Sequence, residues 1–235
     1  MKNLEQSREH ENNLTRIELE TLESRIRNWN SKKLSYEKKK PSYEYADELS
    51  KKTRLTDEEC KFLAKFDKDN WWPLTLSITT ITDKQAEILS DVRTLQLNWL
   101  TTITDRQVES LTKDSSEGKF KILALDWLRT ITDKQAKCFS KCVSVFLGWL
   151  TSITDRQTEY LWNNSSDMDM PTLHLGWLTR ITDKQAENLS HFKGTLYLGW
   201  LTSITDKQAE NLSKVRSLDI NTRILTQKQG EILNK

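Results

Sequence analysis

The sequence predicts an α/β solenoid of stacked repeats over residues 51–235, preceded by an N-terminal helical arm and basic linker over residues 1–50. Three observations predict it. The phrase Ile-Thr-Asp recurs at Ile81, Ile103, Ile131, Ile153, Ile181 and Ile204, with degenerate copies beginning at Leu55 and Leu225. A short apolar-x-Leu alternation stands before the repeated phrases. A Thr-x-x-Gln box follows, opening a short apolar stripe. Self-similarity at a period of roughly 20–50 residues marks repeat architectures, because one such unit cannot bury its apolar side alone.

The third residues of these phrases fall at positions 57, 83, 105, 133, 155, 183, 206 and 227, which makes eight units. The steps are 26, 22, 28, 22, 28, 23 and 21 residues. Asp83 to Asp133 and Asp133 to Asp183 are each 50 residues, the trace of a duplicated two-repeat block. The long steps carry similar insertions, Lys113–Lys119 and Asn163–Met170, and Asp67–Pro73 resembles a third. Such insertions emerge on one edge of a solenoid and can form part of a binding surface.

Residues Leu196 to Leu212 illustrate one unit. Leu196-Tyr197-Leu198 alternates as a strand does. Leu201 and Ile204 point inward from the turn. Thr205-Asp206-Lys207-Gln208 is a capping box, with Asp206 at the positive end of the helix dipole. Ala209 and Leu212 give the helix its inward stripe. The box recurs at Thr82, Thr104, Thr132, Thr154 and Thr182, and Thr56 to Glu59 is its Glu version.

The pattern Leu-x-Leu-x-x-Leu-x-x-Ile-Thr-Asp-x-x-Ala-x-x-Leu resembles a leucine-rich repeat over about residues 52 to 235. It is most like the cysteine-containing subtype, with Leu100, Leu128, Leu150, Leu178 and Leu201 where that subtype has Cys. It also resembles short bacterial leucine-rich repeats containing Leu-Thr-Ser-Leu-Thr-Asp. The resemblance implies a right-handed solenoid, with the parallel sheet on the concave face and short helices on the convex face. The ladder Asn of common leucine-rich repeats is missing. The series Thr101, Thr151, Thr179 and Thr202 is the candidate to hold the turn instead.

Function is expected at outward positions, since the fold accounts for the inward ones. The outward strand row reads Thr75, Gln96, Ala124, Phe146, His174, Tyr197 and Asp219. Its aromatic stretch, Phe146, His174 and Tyr197, is the first candidate for partner contact. The second is the stripe Trp99, Trp127, Trp149, Trp177 and Trp200, five of the nine tryptophans at one repeat position. Strands about 4.8 Å apart would stack these indoles. Two readings stay open for the stripe, a structural spine and a platform that touches a ligand.

Composition excludes other classes. The formal net charge of +2 gives no general attraction to nucleic acid. No apolar run is long enough to span a bilayer, and Met1–His10 lacks an apolar signal core, so the expected compartment is the cytoplasm. Cys60, Cys138 and Cys142 do not form a disulfide framework. Cys138 and Cys142 are four apart and could share a helix face, but without further ligands they make no metal site. Asp167 and Asp169 lack the remaining spacing of a calcium loop. With three His and no phosphate loop or nucleophile elbow, neither an enzyme nor a cofactor is expected.

The arm carries an amphipathic pattern, Leu14, Ile17, Leu19, Leu22, Ile26 and Trp29, followed by the basic stretch Lys32, Lys33 and Lys38–Lys40. Its helix has two candidate roles: capping the first repeat, or docking on a partner or second copy. The expected function is a scaffold or adaptor that binds a protein partner through the concave face and one loop edge. The second reading is a nucleic-acid-associated module using the basic arm and exposed aromatics. No membrane partner is expected.

Overall fold

The computed structural model describes residues 40–70, 73–113, 121–162 and 171–234. The chain divides between Glu48 and Leu49, and every described strand belongs to the second unit. Helix α1 spans Lys40–Ser50, with Pro41 in the first turn, where its missing N–H is tolerated. Helix α2 (Asp57–Asn70) follows.

Strands and helices then alternate. The strands are β1 (Leu74–Thr75), β2 (Thr94–Gln96), β3 (Ile122–Ala124), β4 (Ser144–Phe146), β5 (Thr172–His174), β6 (Thr195–Leu198) and β7 (Ser217–Ile220). After each comes a helix: α3 (Asp83–Ile88), α4 (Asp105–Leu111), α5 (Asp133–Phe139), α6 (Asp155–Trp162), α7 (Asp183–Leu189), α8 (Asp206–Leu212) and α9 (Gln227–Leu233). The strands form one parallel sheet in chain order, β1 to β7. The architecture is an α/β repeat solenoid. No described helix is long and apolar enough to cross a membrane.

The core is the repeat itself. Leu95, Leu97, Leu100 and their equivalents in the inner strands are buried, while Leu218 and Ile220 in the last strand are half-buried. The buried sheet-side residues meet Ala86, Val108, Ala136, Ala186 and Ala209 from the helices, which are fully buried. A small residue at that helix position lets each short helix lie close behind the sheet. Where Thr158 takes the place, its hydroxyl donates to the Asp155 carbonyl at 2.7 Å and accepts from Asn188 Nδ2 of the next unit at 3.1 Å.

All seven units with a preceding unit share a glutamine ladder. Gln107 is typical. Its Oε1 accepts the Thr104 N–H at 2.9 Å, and the Thr104 hydroxyl accepts the Gln107 N–H at 3.2 Å. Its Nε2 then donates across the stack to the Ile81 carbonyl at 2.8 Å. The same donation runs from Gln85, Gln135, Gln157, Gln185, Gln208 and Gln229 to the turn carbonyl of the preceding unit, at 2.6–3.0 Å. In the first unit, Glu59 caps Thr56 and takes Lys52 Nζ at 2.6 Å.

This ladder corrects the role expected for the threonine series. Thr151 and Thr202 do donate to the preceding turn, at 3.2 and 3.1 Å, but from exposed positions. The buried turn bonds belong to Gln. One further expectation changes. Cys138 lies in α5, but Cys142 lies beyond its end, in a turn closed by the Cys142 N–H donating to the Phe139 carbonyl at 2.9 Å. The last unit, despite Gln227 and Gly230, keeps a complete capping box at Thr226 and Gln229.

Several expectations lie outside the described residues: the amphipathic stretch Leu14–Trp29, Lys32, Lys33, Lys38 and Lys39, the insertion from position 114 to 120, and that from 163 to 170, including Asp167 and Asp169.

Candidate functional site

The strand register builds the site. Thr75, Gln96, Ala124, Phe146, His174, Tyr197 and Asp219 are successive Cα partners across the sheet. The expected row is therefore in line, one residue per strand. Ala124 departs from expectation, since it is buried between larger neighbours. The aromatic members touch. Phe146 and His174 rings lie 5.9 Å apart at 28°, and His174 and Tyr197 lie 5.2 Å apart at 38°.

The tryptophan stripe forms a second row. Centroid separations are 5.0, 5.0, 4.3 and 4.8 Å from Trp99 to Trp200, with planes within 29°. These match the spacing of parallel strands, so the rings stack because the backbone does. Four of the rings are still open to solvent: Trp99 at 49%, Trp127 and Trp177 at 36% and Trp200 at 57%. Stacking hides the inner faces and leaves the edges exposed. The end rings, Trp99 and Trp200, keep the most surface because each lacks one neighbour.

Between the rows runs a strip that the sequence reading did not single out. Residues two along from the outward row face the same side of the sheet. At three consecutive units that residue is glycine: Gly148, Gly176 and Gly199. In earlier units it is Asn98 and Asp126. The glycines leave a floor between two aromatic walls. A Cβ at Gly176 would stand 2.7 Å from His174 Cε1, and one at Gly148 would stand 2.7 Å from Asp126 Oδ1. The Asp126 carboxylate instead accepts the Gly148 N–H at 2.9 Å. At Gly199 a Cβ would meet nothing within 4 Å, so the floor is open there.

The result is a shallow groove of about 530 Å³ that runs across the strands. It brings together Phe146, His174 and Tyr197 with Trp127, Trp149, Trp177 and Trp200. Of the expected site residues, Trp99 alone is not part of its lining. Asp126 and Asp219 also line it, and no Lys or Arg does. His174 Nδ1 and Asn98 Oδ1 are buried with no hydrogen-bond partner among the described residues. Glycine at the second position after an outward aromatic was the available sequence signal.

The shifted acid–base groups lie elsewhere. Lys121 Nζ donates to the Ser90 carbonyl at 3.1 Å and to the Val92 carbonyl, and burial pulls its pKa down to about 8. Burial also pushes the Cys60 thiol up to about 12. Among the described residues, no group of three or more His, Cys, Asp or Glu is placed to hold a metal. Comparison of the chain with protein-family models and with curated proteins finds no match.

Proposed function

We propose that this chain is a binding module of the leucine-rich-repeat type, acting as a scaffold or adaptor that holds a protein partner in the groove on its sheet face. The observation that carries the reading is the glycine floor between two aligned aromatic rows. Core packing explains an inward Leu, and ring stacking steadies the tryptophan stripe, but neither requires an open glycine floor between that stripe and Phe146, His174 and Tyr197. Exposed aromatic rims around a shallow depression are the composition of protein-binding hot spots.

The groove gives the nucleic-acid alternative no support, because two carboxylates and no Lys or Arg line it, and carboxylates repel a phosphate chain. Partner capture tests the reading. Intact protein is compared with the Phe146→Ala, His174→Ala, Tyr197→Ala triple variant, after both are shown to melt cooperatively. The groove reading predicts that the variant loses specific partners. Equal recovery of the same partners by both would overturn it.

A further inference from the structure

The two aromatic rows do not end alike. On the β3 side Asn98 and Asp126 line the groove, and the tryptophan stripe continues past them to Trp99. On the β7 side both rows stop together. The residue beside Tyr197 in the next strand is Asp219, not an aromatic ring. The unit after Trp200 places Asn221 and Thr222 where earlier units place Gly and Trp. Tyr197 therefore has His174 on one side and no ring on the other, and Trp200 has only Trp177. Trp200 is accordingly the most exposed ring of its stripe, at 57%. Asp219 is exposed, and while its backbone belongs to the β6–β7 ladder, its carboxylate makes no ion pair or side-chain hydrogen bond among the described residues. Tyr197, Trp200 and Asp219 line the same end of the same groove, beside the open floor at Gly199.

Two ring faces and an unpaired carboxylate form a recognition site for a cation. A guanidinium fits this better than an ammonium, because its plane stacks on a ring while its N–H fork meets a carboxylate. Resting on the protein-binding reading above, we infer that the groove takes an extended, arginine-bearing peptide segment of the partner, with one arginine seated at Tyr197, Trp200 and Asp219. Charge complementarity selects this occupant, since the groove is lined by two carboxylates and by no Lys or Arg.

The geometry also sets a spacing. From the β3 unit to β7 there are four strand intervals of about 4.8 Å, or about 19 Å, and an extended chain covers this in about six residues. A second cationic residue about six positions along the peptide reaches Asp126. That carboxylate already accepts the Gly148 N–H through Oδ1, and Oδ2 is left for the ligand.

The test uses full-length protein and fluorescently labelled twelve-residue synthetic peptides, read by anisotropy. One peptide carries two arginines six apart. A second replaces both with citrulline, which keeps the shape and removes the charge. A third carries glutamates. The arginine peptide is expected to bind at least tenfold more tightly than the citrulline peptide, and the glutamate peptide not at all. Asp219→Asn is expected to weaken the arginine peptide about tenfold, leave the citrulline peptide unchanged and leave the melting curve unchanged. Equal binding of arginine and citrulline peptides overturns the inference, as does an Asp219→Asn variant that binds like the parent. If that equal binding is still lost in the Phe146, His174, Tyr197 variant, the groove reading stands and only the cation selectivity falls. If no peptide binds, the inference falls, and the partner-capture experiment alone decides the groove.

Discussion

Gln157 accepts the Thr154 N–H at 3.0 Å and donates to the Ile131 carbonyl at 2.8 Å, so one side chain both caps its own helix and ties it to the unit before. Glutamate would cap equally well but has no proton for that carbonyl. This explains why the seven later boxes end in Gln and the first ends in Glu59, which takes the Lys52 ammonium instead. Gln157→Leu is expected to cost about 2–4 kcal/mol, combining a lost cap with an unpaired buried carbonyl. Thr151→Ala, at an exposed turn bond, should cost less than about 1 kcal/mol. Denaturant unfolding compares them, and equal losses would contradict the ladder.

Lys121 supplies a pH signature. Its pKa falls from 10.5 to about 8 on burial, so between those values the unfolded chain binds more protons than the folded one. Stability must then rise with pH across that window. Cys60, raised from 9.0 to about 12, acts oppositely above pH 9. The contrast between the parent and Lys121→Met isolates the lysine: the variant should lack the gain between pH 8 and pH 10.

At the scale of elements, the repeat was legible and the groove was not. A Thr-x-x-Gln box before an apolar stripe specifies a helix start with little help from tertiary structure, and all the expected boxes form. The tryptophan stacking was also legible, because rings at one repeat position must share the strand spacing. The groove needed more. Gly148, Gly176 and Gly199 mean little until the register places them between two aromatic rows. Ala124 was expected outward from alternation alone, but its small side chain is covered by its neighbours. The ladder predicts a positional effect. Trp149 has a stacked ring on each side, and each such pair is worth about 0.5–1.5 kcal/mol beyond burial. Trp149→Ala should therefore lower the melting temperature clearly more than Trp200→Ala, which loses one pair. A larger loss from Trp200 would remove the stripe's role as a spine.

For the whole molecule, stacking in register turns a repeated sequence into a surface whose outward positions are free to vary. The inward strand and turn positions stay aliphatic, mostly Leu, the inward helix position stays small or β-branched, and the Gln ladder recurs in all seven later units. The outward row runs from Thr75 and Gln96 through three aromatics to Asp219. On the helix side, exposed pairs such as Lys84–Asp57 at 2.6 Å and Arg106–Asp83 at 3.4 Å repeat from one unit to the next. Exposed pairs of this kind contribute little stability. The uniform side is scaffold, and the varied side is the place to look for recognition. Amide hydrogen exchange of the full-length protein, with and without the captured partner, tests this most directly. The account predicts slowed exchange at the backbone around the groove, from Asp126 through Gly148, Gly176 and Gly199 to Asp219, with helices α4 to α8 unchanged. Protection confined to the helices, with the groove unaffected, would contradict it.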